Sequence, residues 1–311
     1  MTRTRVEANA EISAVKRLPY GLARTQAAER QVRIADAEGP ESVLAYALTV
    51  LVESLHWAGE PEKAYLPFTR LLRVELRKLV DTRAGFWLLT AIGLITVAVI
   101  VVFLFVADPD QLTFVNFVGA TATPQSILLP VLGILAVTAE WSQRTGLVTF
   151  TLEPSRIRIA VAKLVAVTLV GLLAVIVALG VAALSNVAGM AFMDGAGSWN
   201  VGAANVRDFF ALQLIGILQG FAFGMLLMNT AAAIVLYYVI PIAWSVLFSM
   251  VGALEQAAPW LDLNTAMAPA FDQQTFQGSD WVHIAVAGTI WVVLPLALGL
   301  VRLLHREVRS A

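Results

Sequence analysis

Charged, hydroxyl and turn-forming residues are concentrated in one polar stretch, AEWSQRTGLVTFTLEPSRIRIAVAK, between two long apolar runs. Glu140 and Arg144 are four residues apart, a spacing that pairs opposite charges on one face of a helix. Gly146 and Pro154 punctuate the stretch, and Ser155 suits the N-cap of a following helix. The stretch predicts a short helix and a turn that could bind another protein. A capped loop without a partner would explain the same residues.

Residues typical of catalysis or metal binding are sparse elsewhere. The chain has no cysteine and three histidines, which are His56, His283 and His305, far apart in sequence. It has no GxxxxGK(S/T), HExxH or GxSxG motif, and the interiors of its apolar runs contain essentially no ionisable residue. Proton-coupled carriers and intramembrane hydrolases need such residues. The sequence therefore predicts no catalytic residue, metal or cofactor on this chain.

The composition indicates that lipid is part of the solvent of this chain. Of its 311 residues, 59% are apolar and 14% are charged, against about half and a quarter in soluble domains. A bilayer core needs about 20 apolar helical residues to cross it. The sequence predicts an all-α, polytopic membrane protein whose six transmembrane helices form a domain over residues 86–311. The predicted spans are about 86–107, 123–139, 160–190, 209–228, 231–254 and 282–304.

The boundary between the fourth and fifth spans rests on length. Residues 209–254 carry no charge, and one helix over them would extend about 69 Å, twice a single crossing. We therefore divide this run at Asn229–Thr230.

The distribution of lysine and arginine predicts the orientation of the chain. Thirteen of these residues precede the first span, four lie between spans two and three or at the start of span three, and three lie at the end of span six or after it. Only Arg207 remains for the opposite side. Because cytoplasmic segments are enriched in lysine and arginine, both termini are predicted to be cytoplasmic.

Residues 1–66 are predicted to form a cytoplasmic extension that contains a helical hairpin. Leucines recur at helical spacing before Gly59, and a second helix is predicted to start near Pro61. With Ala64 and Phe68, this hairpin resembles a tetratricopeptide-type unit. An ordinary amphipathic hairpin fits equally well, because a single repeat cannot bury its own apolar face.

Residues 67–85 are predicted to form an amphipathic interfacial helix ahead of the first span. Its apolar stripe consists of Phe68, Leu72, Leu76 and Leu79. Its basic residues, expected at anionic lipid head groups, are Arg70, Arg73, Arg77 and Lys78. A continuation of the soluble hairpin is the alternative.

Three glycines recur at intervals of four residues in the fourth span: Gly216, Gly220 and Gly224. Small residues on one face allow close helix packing in lipid. The contact could lie within one chain or between two copies, and chance spacing explains the pattern equally well.

Two segments together resemble the type-2 permeases of ABC exporters. The first contains Glu140, Arg144-Thr145-Gly146, Leu152, Pro154, Ser155-Arg156 and Lys163, and is similar to the loop between spans two and three of that family. The second, residues 73–83, is similar to the family's helix before the first span. The resemblance covers about residues 68–311, and residues 1–66 depart from the short tail usual in the family.

The resemblance implies a permease that dimerises and binds two copies of a separate ATPase subunit, which would hold ATP and Mg²⁺. It places a coupling helix at about residues 140–150, with contacts from Glu140, Trp141, Arg144, Thr145, Gly146, Leu147 and Phe150. It assigns the start of span three to Pro154, Ser155, Arg156 and Lys163. Substrates in the family include drugs, antibiotic peptides, lipids and polysaccharide precursors; nucleic acid is not an expected partner. The alternative is a non-transporting membrane anchor that recruits a partner through its N-terminal hairpin, and a membrane enzyme ranks last.

Overall fold

The computed structural model describes residues 5–18, 22–38, 41–57, 67–142, 153, 155–271 and 274–305. Every long regular element in this part of the chain is an α-helix. The chain divides into two units. The first contains the described residues up to Leu71 together with those between 153 and 159, and the second contains residues 72–142 and the described residues from 160 onward.

The first unit is built around three helices with a hydrophobic core of their own: α1 (Arg5–Lys16), α2 (Leu22–Glu38) and α3 (Glu41–Trp57). Ile12, Ala28 and Val43 represent the three helices in this core and are almost completely buried. The sequence predicted α3 as part of a hairpin but did not predict α1 and α2. The second helix of that hairpin, near Pro61, lies outside the described residues.

The remaining helices follow in chain order. They are α4 (Phe68–Asp81), α5 (Arg83–Val106), α6 (Phe114–Ser142), α7 (Arg156–Phe192), α8 (Ala203–Leu227), α9 (Thr230–Met250), α10 (Ala258–Leu261), α11 (Leu263–Phe271), α12 (Gly278–Gly288) and α13 (Leu294–His305). A π-helical turn, Thr289–Val293, joins α12 to α13. Helices α5 to α9 and the continuous stretch Gly278–His305 are long and apolar enough to cross a membrane. The predicted all-α chain with six such helices is confirmed, and it fits a multi-pass membrane protein.

The long uncharged run is interrupted where the sequence was divided. Met228 adopts the left-handed conformation with φ of 50°, and its N–H donates to the Gly224 carbonyl. The side chain of Asn229 then accepts a hydrogen bond from the backbone N–H of Ala232 at 3.0 Å. A left-handed C-cap followed by an asparagine N-cap ends one helix and begins the next within two residues.

Helices α6 and α8 pack closely because glycines lie at their contact. A Cβ atom at Gly220 would overlap the carbonyl oxygen of Pro130 and would lie 2.8 Å from its carbonyl carbon. A Cβ at Gly224 would lie 3.0 Å from the Ile134 oxygen, and one at Gly216 would lie 3.4 Å from the Pro130 ring. The glycine stripe predicted from the sequence therefore faces another helix of the same chain.

An ionic clasp joins the start of α8 to the segment before α12. The buried carboxylate of Asp208 accepts hydrogen bonds from Arg207 Nε at 2.6 Å and from the backbone N–H of Phe276 at 2.8 Å. The Arg207 guanidinium also lies 5.0 Å from the centre of the Trp281 ring. Phe276 belongs to a hydrophobic cluster with residues of α8, α11 and α12. The clasp thus fixes this cluster to the first turns of α8.

We expect Asp208→Ala to loosen this junction. The substitution leaves the Phe276 N–H without its charged acceptor, and a hydrogen bond to a charged group contributes about 1.5–3 kcal/mol. Hydrogen–deuterium exchange should become faster across residues 274–281. Asp110→Ala, which removes an exposed carboxylate, is the control and should leave that exchange unchanged. Equal protection of residues 274–281 in Asp208→Ala and the wild-type chain would contradict the clasp.

Candidate functional site

Four charged side chains from three helices meet at the end of α6. Glu75 and Lys78 come from α4, Glu140 from the last turn of α6, and Lys163 from α7. Glu75 and Lys78 are three residues apart and so project from one side of α4. Lys163 lies seven residues after the start of α7, about 10 Å along its axis. We call these four residues the ionic quartet.

The ionic quartet is a closed ring of ion pairs. Lys78 Nζ lies 2.8 Å from Glu75 Oε1 and 2.8 Å from Glu140 Oε1. Lys163 Nζ lies 2.7 Å from Glu75 Oε2 and 3.0 Å from Glu140 Oε1. Each carboxylate therefore contacts both ammonium groups, and each ammonium group contacts both carboxylates. These contacts connect α4, α6 and α7.

The ionic quartet is buried and electrically neutral. The side chains of Glu75, Glu140 and Lys163 are 4%, 7% and 6% exposed, whereas that of Lys78 is 35% exposed. Burial alone would lower the pKa of Lys78, but the carboxylates of Glu140 and Glu75 outweigh it and raise that pKa above the usual 10.5. Lys78 is therefore charged at neutral pH. Because two cations balance two anions, removing one member would leave an uncompensated buried charge.

Glu140 lies between the ammonium groups of Lys78 and Lys163. Its predicted pairing with Arg144 stays a prediction, because Arg144 lies outside the described residues. Trp141 follows on α6 and is half-buried. The other predicted coupling residues, with the predicted turn residue, lie outside the described residues: Arg144, Thr145, Gly146, Leu147, Phe150 and Pro154. Glu140 thus holds helix ends together, which gives it a positioning role.

The start of α7 has its own network, within the first unit. The N–H of Arg158 donates to Ser155 Oγ at 3.5 Å, the contact expected of an N-cap serine. The buried carboxylate of Glu153 accepts from the Ser155 N–H at 3.3 Å and lies 3.4 Å from Arg158 Nε. Arg156 is the first residue of the helix and is half-buried. Ser155 therefore caps the first turn of α7.

The four basic residues predicted for the interfacial helix have different environments. Lys78 belongs to the ionic quartet, and Arg70 forms an ion pair with Asp36 of α2. Arg73 and Arg77 are exposed, and Arg77 pairs with Asp81, four residues later. The apolar stripe is largely covered by protein: Leu79 is buried, Leu72 and Leu76 are half-buried, and Phe68 is 37% exposed.

Glu75 is the member of the ionic quartet that the sequence analysis did not single out. It interrupts the predicted apolar stripe of α4, between Leu72 and Leu76. A carboxylate on the inward side of an amphipathic helix needs a cationic partner there. Glu75 could therefore have been identified in the sequence by its position in the apolar stripe and by Lys78 three residues later.

The charged groups of the ionic quartet are engaged with one another. Each group contacts the two groups of opposite charge, so the network already provides each with oppositely charged partners. Within the described ranges, no three histidine, aspartate or glutamate side chains are grouped as metal ligands would be. No protein-family model, curated protein or solved structure matches the chain.

Proposed function

We propose that the chain is the transmembrane permease subunit of an ATP-driven ABC exporter. It forms the substrate pathway as a dimer in a bacterial cell membrane, with both termini in the cytoplasm. Two copies of a separate ATPase subunit bind the 140–150 segment. The chain itself carries neither the nucleotide nor the hydrolytic residues. The ionic quartet is the observation that carries this proposal.

The ionic quartet supports the proposal because it lies on both helices that border the 143–155 segment. Glu140 is two residues from the end of α6, and Lys163 is in the second turn of α7. Their shared contacts with Glu75 and Lys78 fasten both helices to α4. A coupling segment needs such a support, since motion of a partner must displace whole helices and not only the connection between them.

Chain connectivity adds a second argument. Successive spans cross in alternate directions, so the connection between α6 and α7 lies on the same side as that between α8 and α9. The second of these connections consists of Met228 and Asn229 alone. A partner that binds the connections on this side therefore has one long segment available, residues 143–155.

The test of the proposal uses Arg144→Ala rather than a substitution at Glu140. A substitution at Glu140 would also disturb the ionic quartet, so a loss of partner binding could not be distinguished from a loss of stability. An ATPase subunit that copurifies with the wild-type chain is co-reconstituted with it in vesicles, and ATP hydrolysis is measured with and without a panel of amphiphilic substrates. We expect Arg144→Ala to lower the substrate-stimulated hydrolysis about tenfold, the effect of losing about 1.4 kcal/mol of binding.

Arg17→Ala is the matched control, because it removes an exposed arginine from the first unit. Both variants should insert in the membrane at the wild-type level. Unchanged coupling in Arg144→Ala would refute docking through this segment. Failure of any ATPase subunit to copurify with the wild-type chain would refute the exporter itself.

A membrane anchor without transport is the second candidate function. Its support is the first unit, where α1, α2 and α3 share a core and form a small folded body. Deletion of residues 1–60 distinguishes the two functions. An exporter should retain substrate-stimulated ATP hydrolysis after the deletion, whereas an anchor should lose recruitment of its partner.

A further inference from the structure

We propose that an anionic phospholipid head group binds the outer side of the corner between α4 and α5, through Arg73, Arg77, Arg83 and Trp87. We call these four residues the head-group site. The site requires that the apolar helices span a membrane, and it is independent of any ATPase subunit.

The side of α4 that faces away from the rest of the protein is basic. Packing defines the inner side, and the arginines lie opposite to it. Leu71, Glu75 and Leu79 are buried at spacings of four residues and define the inner side. Arg73 and Arg77 lie two residues before and after Glu75, about 200° around the helix in either direction. Both guanidinium groups therefore project from the opposite side, and both residues are exposed.

The junction between α4 and α5 determines where the basic side of α4 lies relative to the bilayer. Thr82 alone separates α4 from α5, and its hydroxyl accepts the Gly85 N–H at 3.2 Å. A Cβ at Gly85 would overlap the Leu79 carbonyl oxygen, so α5 begins in close contact with the last turn of α4. Because the apolar run of α5 begins directly after Arg83, the end of α4 lies where a bilayer's head groups begin.

The arginines of the head-group site are able to bind phosphate. Arg73 and Arg83 are exposed, and no carboxylate among the described residues forms an ion pair with either. Arg77 pairs with Asp81 at 2.8 Å, but both side chains are largely exposed, and such surface pairs contribute little and exchange readily. The planar guanidinium fork fits two phosphate oxygens at once.

The apolar residues beside these arginines favour lipid over an acidic protein as the occupant. Val74 and Val80 on α4 are 44% and 46% exposed. On α5, Phe86 is 52% and Trp87 is 66% exposed, and their rings meet edge to face at 5.6 Å. Cations flanked by exposed tryptophan and aliphatic side chains are typical of the boundary between head groups and acyl chains.

The test measures binding of phosphatidylglycerol to the full chain. The purified chain is placed in nanodiscs of phosphatidylcholine, with or without phosphatidylglycerol, and retained lipid is counted by native mass spectrometry after release into detergent. The variant R73Q/R77Q/R83Q removes three cations. We expect its affinity for phosphatidylglycerol to fall on the order of 100-fold, about fivefold for each arginine. Binding of phosphatidylcholine should not change.

The variant R17Q/R30Q/R33Q is the matched control, since it removes three exposed arginines from the first unit with the same change in net charge. It should retain phosphatidylglycerol as the wild-type chain does. Equal loss in both variants would mean non-specific attraction and would overturn the site. Retention of phosphatidylglycerol by R73Q/R77Q/R83Q would also overturn it, and loss of an ATPase subunit in that case would identify a protein-docking surface instead. Gel filtration of both variants in phosphatidylcholine nanodiscs verifies that they are folded.

Discussion

Replacing Lys163 by methionine is expected to lower the free energy of unfolding by about 3–5 kcal/mol, the range for breaking a buried ion pair at one partner. Methionine has a similar length but no charge. Its substitution removes one of the two ammonium groups that balance the buried carboxylates of Glu75 and Glu140, and leaves Lys78 in contact with both. Unfolding of the purified chain in mixed detergent micelles measures the loss. We expect α4 to separate from α6 and α7 before the spans themselves unfold, and hydrogen exchange in α4 would report this.

A double variant distinguishes charge imbalance from loss of packing. E75Q/K163M removes one anion and one cation and leaves Lys78 paired with Glu140 at 2.8 Å. It should recover most of the stability lost in Lys163→Met, because no buried charge is then uncompensated. Arg77→Met, which breaks an exposed pair, should cost less than about 1 kcal/mol. Additive losses in E75Q/K163M would show that the ionic quartet does not act as a unit.

Gly220→Ala is expected to destabilise the chain by about 3 kcal/mol, although alanine is the better helix former. The added methyl group would overlap the Pro130 carbonyl oxygen and lie 2.9 Å from Pro130 Cα. Backbone atoms cannot rotate away as a flexible side chain can, so α6 and α8 must separate along their contact. Overpacking of this kind costs about 1–3 kcal/mol and occasionally more. The measurement is thermal unfolding in detergent.

Two other glycines provide graded controls for this prediction. A Cβ at Gly216 meets the Pro130 ring at the ordinary contact distance of 3.4 Å, so Gly216→Ala should change stability little. A Cβ at Gly180 in α7 has no heavy atom within 4 Å. Gly180→Ala should therefore stabilise the helix by up to about 1 kcal/mol. If all three variants behaved alike, packing between α6 and α8 would not be the reason for the glycines.

The membrane helices could be predicted from the sequence because their signals are local. Length, apolar composition and the absence of charge identified six helices, and length alone led to the division at Asn229–Thr230. Helices α1 and α2 were not predicted, because their signal is not local. They are rich in alanine and charged residues, and their few core residues, such as Ile12 and Ala28, form a pattern only when the three helices are packed together.

The ionic quartet could be predicted only in part, because its pairs join residues far apart in the chain. Glu140 and Lys163 were identified as charges at the ends of their spans. Nothing in the sequence shows that they meet Glu75, which is 88 residues before Lys163. The packing of α4 against the ends of α6 and α7 creates the site. Sequence spacing pointed only to Arg144, which lies outside the described residues.

The two-residue connection between α8 and α9 has a consequence for how the chain enters the membrane during synthesis. Met228 and Asn229 carry no charge, and the nearest basic residues in sequence are Arg207 and Arg302. Because lysine and arginine beside a span set its orientation, this turn holds no such signal of its own. We expect α8 and α9 to insert together as one helical hairpin, whose direction is determined by the spans made before it.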